Sequence, residues 1–280
     1  MNEKRRNLFL RIGSAVLLLP GVVVLLVKGG LWSGALMGLA AAVCVAEYYL
    51  IVFQRLSAAA SVAIAAAFAM PLFPAWQPAA SAELAFWTTV GLFIVAWSYG
   101  LLTGSVQSGV QSAAQLISGF LFGALGLTAL SWLRQGPDGL RWVFCTLIAT
   151  WGNDTAAFFV GRRFGRTKLY PEVSPHKTWE GFAGGMAGSV LGMFLARATF
   201  FAELNAWDCL LVGTLTGIVG PIGDLSESML KRTYQVKDSS HIIPGHGGVL
   251  DRIDALIFNA PLVLLYARVL RGIVLGGAAD

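Results

Sequence analysis

Apolar residues fall along this chain in long unbroken runs, not in the alternating or three-to-four-residue spacing of a half-buried strand or helix. Roughly 20 consecutive apolar residues make a helix long enough to cross a hydrocarbon core. Such runs occupy residues 8–27, 31–53, 57–73, 84–102, 114–133, 140–161, 182–202, 207–223 and 253–271. The pattern predicts an all-α polytopic integral membrane bundle of about nine transmembrane helices. The first run reads as a retained anchor, because no small-x-small motif with a polar region follows it. One integrated membrane domain is expected, with residues 1–140 as a scaffold of short-looped helices. Residues 141–280 carry two long polar segments, 162–181 and 225–252.

Composition agrees: 56% of the 280 residues are hydrophobic and 12% charged, which excludes an ordinary soluble protein. Small residues recur at four-residue spacing as Gly30, Gly34, Gly38; Gly119, Gly123; Gly184, Gly188, Gly192; and Gly213, Gly217, a spacing that lets helix backbones approach closely in lipid. Cys44, Cys145 and Cys209 stand singly inside apolar runs and read as packing residues.

Charge sets the expected orientation. With the N-terminus in the cytoplasm, 14 lysines and arginines lie inside and six outside, the six being Lys28, Arg134, Arg141, Arg197, Arg268 and Arg271. Both polar segments then face the cytoplasm, where nucleotides are available.

Ionisable groups within apolar runs are expensive and are functional candidates by default. Asp154 in WGNDTAAFF and Glu47 in AEYYL are the two that stand out, against the alternative of interhelical hydrogen bonding. Asp224 follows GIVGPIG, whose Gly220, Pro221 and Gly223 are expected to disrupt the helix. If helix resumes, Asp224, Glu227, Ser228 and Lys231 share one face, where acids, a hydroxyl and an ammonium can hold a hard cation and a phosphate together. In PGHGGVLDRID, the Pro244–Gly248 run has the composition of a tight turn able to cradle phosphate. Asp251 and Asp254 follow three apart on one helix face. A few carboxylate oxygens of this kind, completed by substrate phosphates, suit magnesium; a zinc site fits poorly, since His241 and His246 lack further Cys or His partners. The other polar segment gathers Arg162, Arg163, Arg166, Lys168 and Lys177, which serve either phosphate binding or topology.

The set Ser228, Lys231, Arg232, Lys237, Asp238, Pro244, His246, Gly247, Gly248, Asp251, Arg252 and Asp254 resembles the signature of the phosphatidate cytidylyltransferases, or CDP-diacylglycerol synthases. SPHKTWEG, from Ser174 to Gly181, matches a second block of that family, and NDTAAFF resembles a third. The departures are Phe158 and Phe159, where tyrosine is common, and Ser240, where glycine is often found. The blocks cover about 152–254, while the first half resembles the family only in being apolar and multi-spanning.

The resemblance implies a bacterial inner-membrane enzyme that joins CTP and phosphatidate into CDP-diacylglycerol and pyrophosphate. It implies magnesium, with room for a second cation, membrane lipid as surroundings and no nucleic acid; a homodimer stays open. It further implies Asp224, Asp251, Lys231 and His246 as catalytic groups. Lys177, Ser174, Arg232, Lys237, Asp238, Gly247, Gly248 and Arg252 would bind substrate, and Asp224, Asp251, Asp254 and Asp154 would hold metal. Two rivals remain in the sequence: another lipid-linked phosphotransferase of the polyprenol or phytol kinase type, and an ion or lipid-phosphate transporter with Asp154, Glu47 and Asp224 as a relay.

Overall fold

A computed structural model describes residues 3–272. The helices are α1 (Glu3–Lys28), α2 (Gly30–Phe53), α3 (Ala58–Ala69), α4 (Phe73–Trp76), α5 (Ser81–Leu102), α6 (Val106–Gln135), α7 (Gly139–Phe164), α8 (Trp179–Thr199), α9 (Ala206–Thr233) and α10 (Leu250–Leu270). Between α7 and α8 a short hairpin pairs β1 (Lys168–Tyr170) antiparallel with β2 (Ser174–Thr178). The protein is an all-α polytopic membrane bundle apart from that hairpin.

Seven helical segments among the described residues are long and apolar enough to cross a membrane, against nine expected; α3 and α4 count as one, Ala58–Trp76. Of the remaining two expected spans, α8 is a full helix whose five glycines and Arg197 dilute its apolar character. The described apolar part of α1 is Val16–Lys28.

The chain forms two compact units. Among the described residues, the first contains residues 3–136 together with Val236–Arg252; the second contains Pro137–Gln235 and residues 253–272. In the first unit, Gly34 and Gly38 of α2 meet Pro71 and Phe68, and Gly119 and Gly123 of α6 meet Tyr48, Tyr49 and Val45. Tyr49 is buried and donates to Leu116 O at 2.6 Å, so α2 and α6 are joined by both packing and hydrogen bonding. In the second unit, Gly184, Gly188 and Gly192 of α8 lie against Val160, Gly152 and Ile148 of α7, while Gly213 and Gly217 of α9 lie against Val190 and Met186 of α8. A side chain at most of these positions would overlap its neighbour, which is why the four-residue glycine spacing binds these helices together.

The expected break in α9 does not occur. Helix runs unbroken from Ala206 to Thr233 with Pro221 inside it. Proline has no N–H, so the Gly217 carbonyl one turn back loses its donor. Asn153 of α7, 2% exposed, supplies one: its Nδ2 donates to Gly217 O at 3.1 Å. A side-chain amide from a neighbouring helix thus re-satisfies the carbonyl and the helix continues. Gly223, two residues after Pro221, leaves room for the Asp254 carbonyl and the Phe258 ring of α10.

Candidate active site

The second unit contains a cavity of about 680 Å³. Its longest wall is the C-terminal part of α7, where Asn153, Asp154, Ala157, Phe158, Gly161 and Arg162 recur at helical spacing on one face. The hairpin adds Lys168, Leu169, His176, Lys177 and Thr178, α8 adds Gly181 and Phe182, and α9 adds Pro221 and Asp224. Acids and bases share this space with an apolar wall of phenylalanine, alanine and glycine.

Local structure fixes the walls. Thr178 ends β2, is buried, and accepts from Gly181 N at 3.1 Å as the N-cap of α8. Glu180, in the first turn, accepts from the amides of Arg166 and Thr167, each at 3.1 Å. Its own amide, then those of Arg166 and Thr167, hold its carboxyl below the usual carboxylate range. Lys168 Nζ donates to Pro175 O at 2.7 Å, closing the hairpin across its turn. Lys177 is thereby carried on a strand whose ends are both tied.

Lys177 Nζ lies 2.6 Å from Asp224 Oδ2. The two side chains form an ion pair in which both are partly exposed, 25% and 36%. Asp154, Asp224 and Asp254 are within Coulombic range of one another and of Lys177. One positive charge therefore stands among three carboxylates. Among the described residues, no group of three or more His, Cys, Asp or Glu side chains could hold a metal ion.

Further along α9, Ser228 Oγ donates to Asp224 Oδ1 at 3.4 Å, and Lys231 Nζ pairs with Glu227 Oε2 at 2.7 Å. Lys231 and Glu227 are both buried. Arg232 Nε donates to Val173 O at 3.4 Å, which ties α9 to the turn of the hairpin. Ser174 opens β2 and is partly exposed.

The remaining sequence-predicted residues lie in the first unit, on the segment Val236–Arg252. Gly245 and Gly247 have positive φ, 77° and 87°, and the Ile243 and Gly247 backbones pair to close the expected tight turn. Asp251 Oδ2 accepts from Ser239 N, Ser239 Oγ and Gly248 N at 2.8–2.9 Å. His246 Nδ1 lies 2.9 Å from Ser14 Oγ. Lys237, Asp238 and Arg252 are exposed.

Glu47 organises this segment. It is 1% exposed and accepts from Leu250 N at 2.7 Å, Val249 N at 3.0 Å and the hydroxyls of Ser239 and Ser240. It caps the start of α10 and, through Ser239, reaches Asp251. The structure thus gathers Lys177, Asp154, Asp224 and Asp254 in the second unit, and Asp251, Gly247 and Gly248 around Glu47 in the first. Sequence reasoning did not single out Asn153 or His176 as site residues; both stand inside blocks it had marked, NDTAAFF and SPHKTWEG.

Comparison with known proteins places this geometry in context. The model of the cytidylyltransferase family matches residues 9–270. A Staphylococcus epidermidis protein named phosphatidate cytidylyltransferase is 36% identical over 174 residues, covering 62% of this chain and 66% of that relative. One of the same name from Brucella suis is 39% identical over 182 residues, 65% of this chain and 66% of the relative. A third, from Bacillus subtilis, is 42% identical over 125 residues, 45% and 46% of the two chains. The chain therefore spans just under two thirds of the length of the first two and less than half of the third.

Proposed function

The chain belongs to the cytidylyltransferase family, and on that premise we propose that it is a phosphatidate cytidylyltransferase converting CTP and phosphatidate to CDP-diacylglycerol and pyrophosphate. The observation that supports this most is the cavity of the second unit. Carboxylates and bases share one space with an apolar wall, in a chain built of membrane-crossing helices; a nucleotide and a lipid phosphate need both surroundings at once.

A phosphate oxygen of the lipid attacks the α-phosphorus of CTP in line. The bond from that phosphorus to the bridging oxygen breaks, and pyrophosphate leaves with the electron pair. The lipid phosphate is already ionised near neutral pH, so no general base is required. The protein's contribution is position and charge neutralisation. Lys177 meets phosphate oxygens, with Arg162, Lys168 and His176 lining the same space. Lys231, held by Glu227, and Arg232 add positive potential along α9. Phe158 and Phe182 supply the apolar wall.

Asp154, Asp224 and Asp254 suit magnesium: they are hard oxygen donors, they outnumber the one ammonium among them, and magnesium takes one or two carboxylates plus substrate phosphates in place of a complete protein cage. Magnesium held there would neutralise charge on the transferring phosphates. Asp251 has one oxygen engaged by three donors of its own segment, and we assign it to ordering the Pro244–Gly248 turn.

Purified protein with CTP and phosphatidate tests the reading. Label on the α-phosphate should enter lipid, and label on the γ-phosphate should appear in pyrophosphate. Transfer of the γ label to lipid with release of CDP would point instead to a lipid kinase. The hairpin is assigned to the cytoplasmic side; a cysteine at Ser174 that labels only from the opposite side would overturn that orientation.

A further inference from the structure

Asn259 of α10 is fully buried, yet only one end of its amide is paired among the described residues. Its Nδ2 donates to Thr150 Oγ1 of α7 at 2.9 Å, and its Oδ1 has no partner there. The Thr150 hydroxyl donates to Thr146 O at 2.8 Å, so toward Asn259 it accepts. On the α9 side the amide packs against a glycine, since a Cβ on Gly220 would stand 2.9 Å from Asn259 Nδ2. Asn259 is thus a meeting point of α7, α9 and α10 within the second unit. A half-paired buried amide stabilises less than apolar packing of the same branching, so stability does not account for this residue. Its position does. Thr150 lies four residues before Asp154, Gly220 four before Asp224, and Asn259 five after Asp254, so about one helical turn separates each contact from an acid. Gly223 meets the Asp254 carbonyl nearby, and these contacts together fix the lengthwise register of α10 on α9 and α7. A single buried asparagine can set register between helices in this way, at a cost in stability.

We propose that Asn259 is a positioning residue: through Thr150 and Gly220 it holds α10 in the register that sets Asp254 at its working distance from Asp154 and Asp224. This rests on the reading above, in which those three carboxylates serve nucleotidyl transfer, and adds to it a buried residue that touches no substrate. Asp154 and Asp224 line the cavity, and Asp254 is within Coulombic range of both. Sliding a helix by one residue moves its side chains by about 1.5 Å, and a misplacement of about 1 Å is enough to cost about a hundredfold in rate.

Purified full chain in detergent, assayed with CTP and phosphatidate, tests the role. Asn259→Leu keeps the branching and the number of heavy atoms, and it strands no donor because Thr150 keeps its bond to Thr146. Its unfolding midpoint should stay close to the parent's, while kcat and kcat/KM for CTP fall together by about tenfold or more. Thr150→Val removes the acceptor at nearly constant shape and should lose rate to the same extent. The double variant should be no slower than either single, because the two residues act as one unit. Thr150→Ser restores the acceptor and should recover most of the rate that valine loses. An Asn259→Leu chain within about twofold of the parent overturns the proposal, and so does one that loses rate only in step with its folded fraction. Losses that multiply in the double variant, or a serine that recovers nothing, overturn it as well. A parent chain that forms no CDP-diacylglycerol refutes the proposed function and this role with it, whereas variants as fast as an active parent refute the role alone.

Discussion

Replacing Asn153 with alanine removes the donor that Pro221 makes necessary. The Gly217 carbonyl would then have neither the backbone N–H that proline lacks nor the Nδ2 now 3.1 Å away, inside a packed unit where Asn153 is 2% exposed. Leaving a buried polar group unsatisfied costs about 1–3 kcal/mol in soluble cores, and interhelical hydrogen bonds in membranes average about 0.6 and reach about 1.7 kcal/mol. The upper part of the membrane range applies, because Pro221 lacks the backbone N–H that would otherwise serve that carbonyl. We expect a loss of about 1–2 kcal/mol. Pro221→Ala restores the backbone N–H, so the double variant should recover most of the loss. The pair should show a coupling of about 0.5–2 kcal/mol in a double-mutant cycle measured by equilibrium unfolding in mixed micelles. Strict additivity, or an Asn153→Ala variant as stable as the parent, would refute the account of why α9 continues through proline.

Glu47→Gln converts one of two acceptor oxygens into a donor facing N–H or O–H groups of the 239–250 segment. Exchange of the Val249 and Leu250 amides should rise at least tenfold, about 1.4 kcal/mol, and unchanged protection would contradict the capping role. Glu180 has a carboxyl held below its ordinary value by backbone amides. A depressed folded-state value means that its contribution to the hairpin is complete above the unfolded value near pH ~4.3 and is lost as pH falls through the lower folded one. Proteolytic nicking between Arg166 and Ser174 should therefore increase on acidification below about pH 4; a hairpin that loosens instead as pH rises from 5 to 7 would contradict it.

Much of the fold is legible in residue pattern alone. Long apolar runs give the helices, and glycine at four-residue spacing marks the faces on which α2, α6, α7, α8 and α9 pack. Asp154, Asp224 and Lys177 were each marked by local chemistry, and the structure brings them together. What escaped the sequence depends on partners far away in the chain. Pro221 read as a helix break because its compensation comes from Asn153 on another helix. Glu47 stood out as a functional candidate or a hydrogen-bonding group, but its partners were not legible, since its donors lie some 200 positions later, at Ser239, Ser240, Val249 and Leu250. The β1–β2 hairpin was invisible for a related reason. Its strands have three and five residues, and their side chains do not alternate between apolar and polar; the pairing is stabilised by Glu180 and the Lys168–Pro175 bond.

The most direct test of the central claim is the rate at which purified Asp224→Asn protein forms lipid-linked cytidine from α-labelled CTP and phosphatidate, compared with the unmodified chain. One amide replaces one carboxylate of similar size, at a residue partly exposed in the cavity wall, so the fold should persist. The account predicts a rate at least a hundredfold lower, about 2.7 kcal/mol of lost barrier stabilisation. A rate within about tenfold of the parent, ~1.4 kcal/mol, would show that the chemistry does not depend on this carboxylate and would contradict the site.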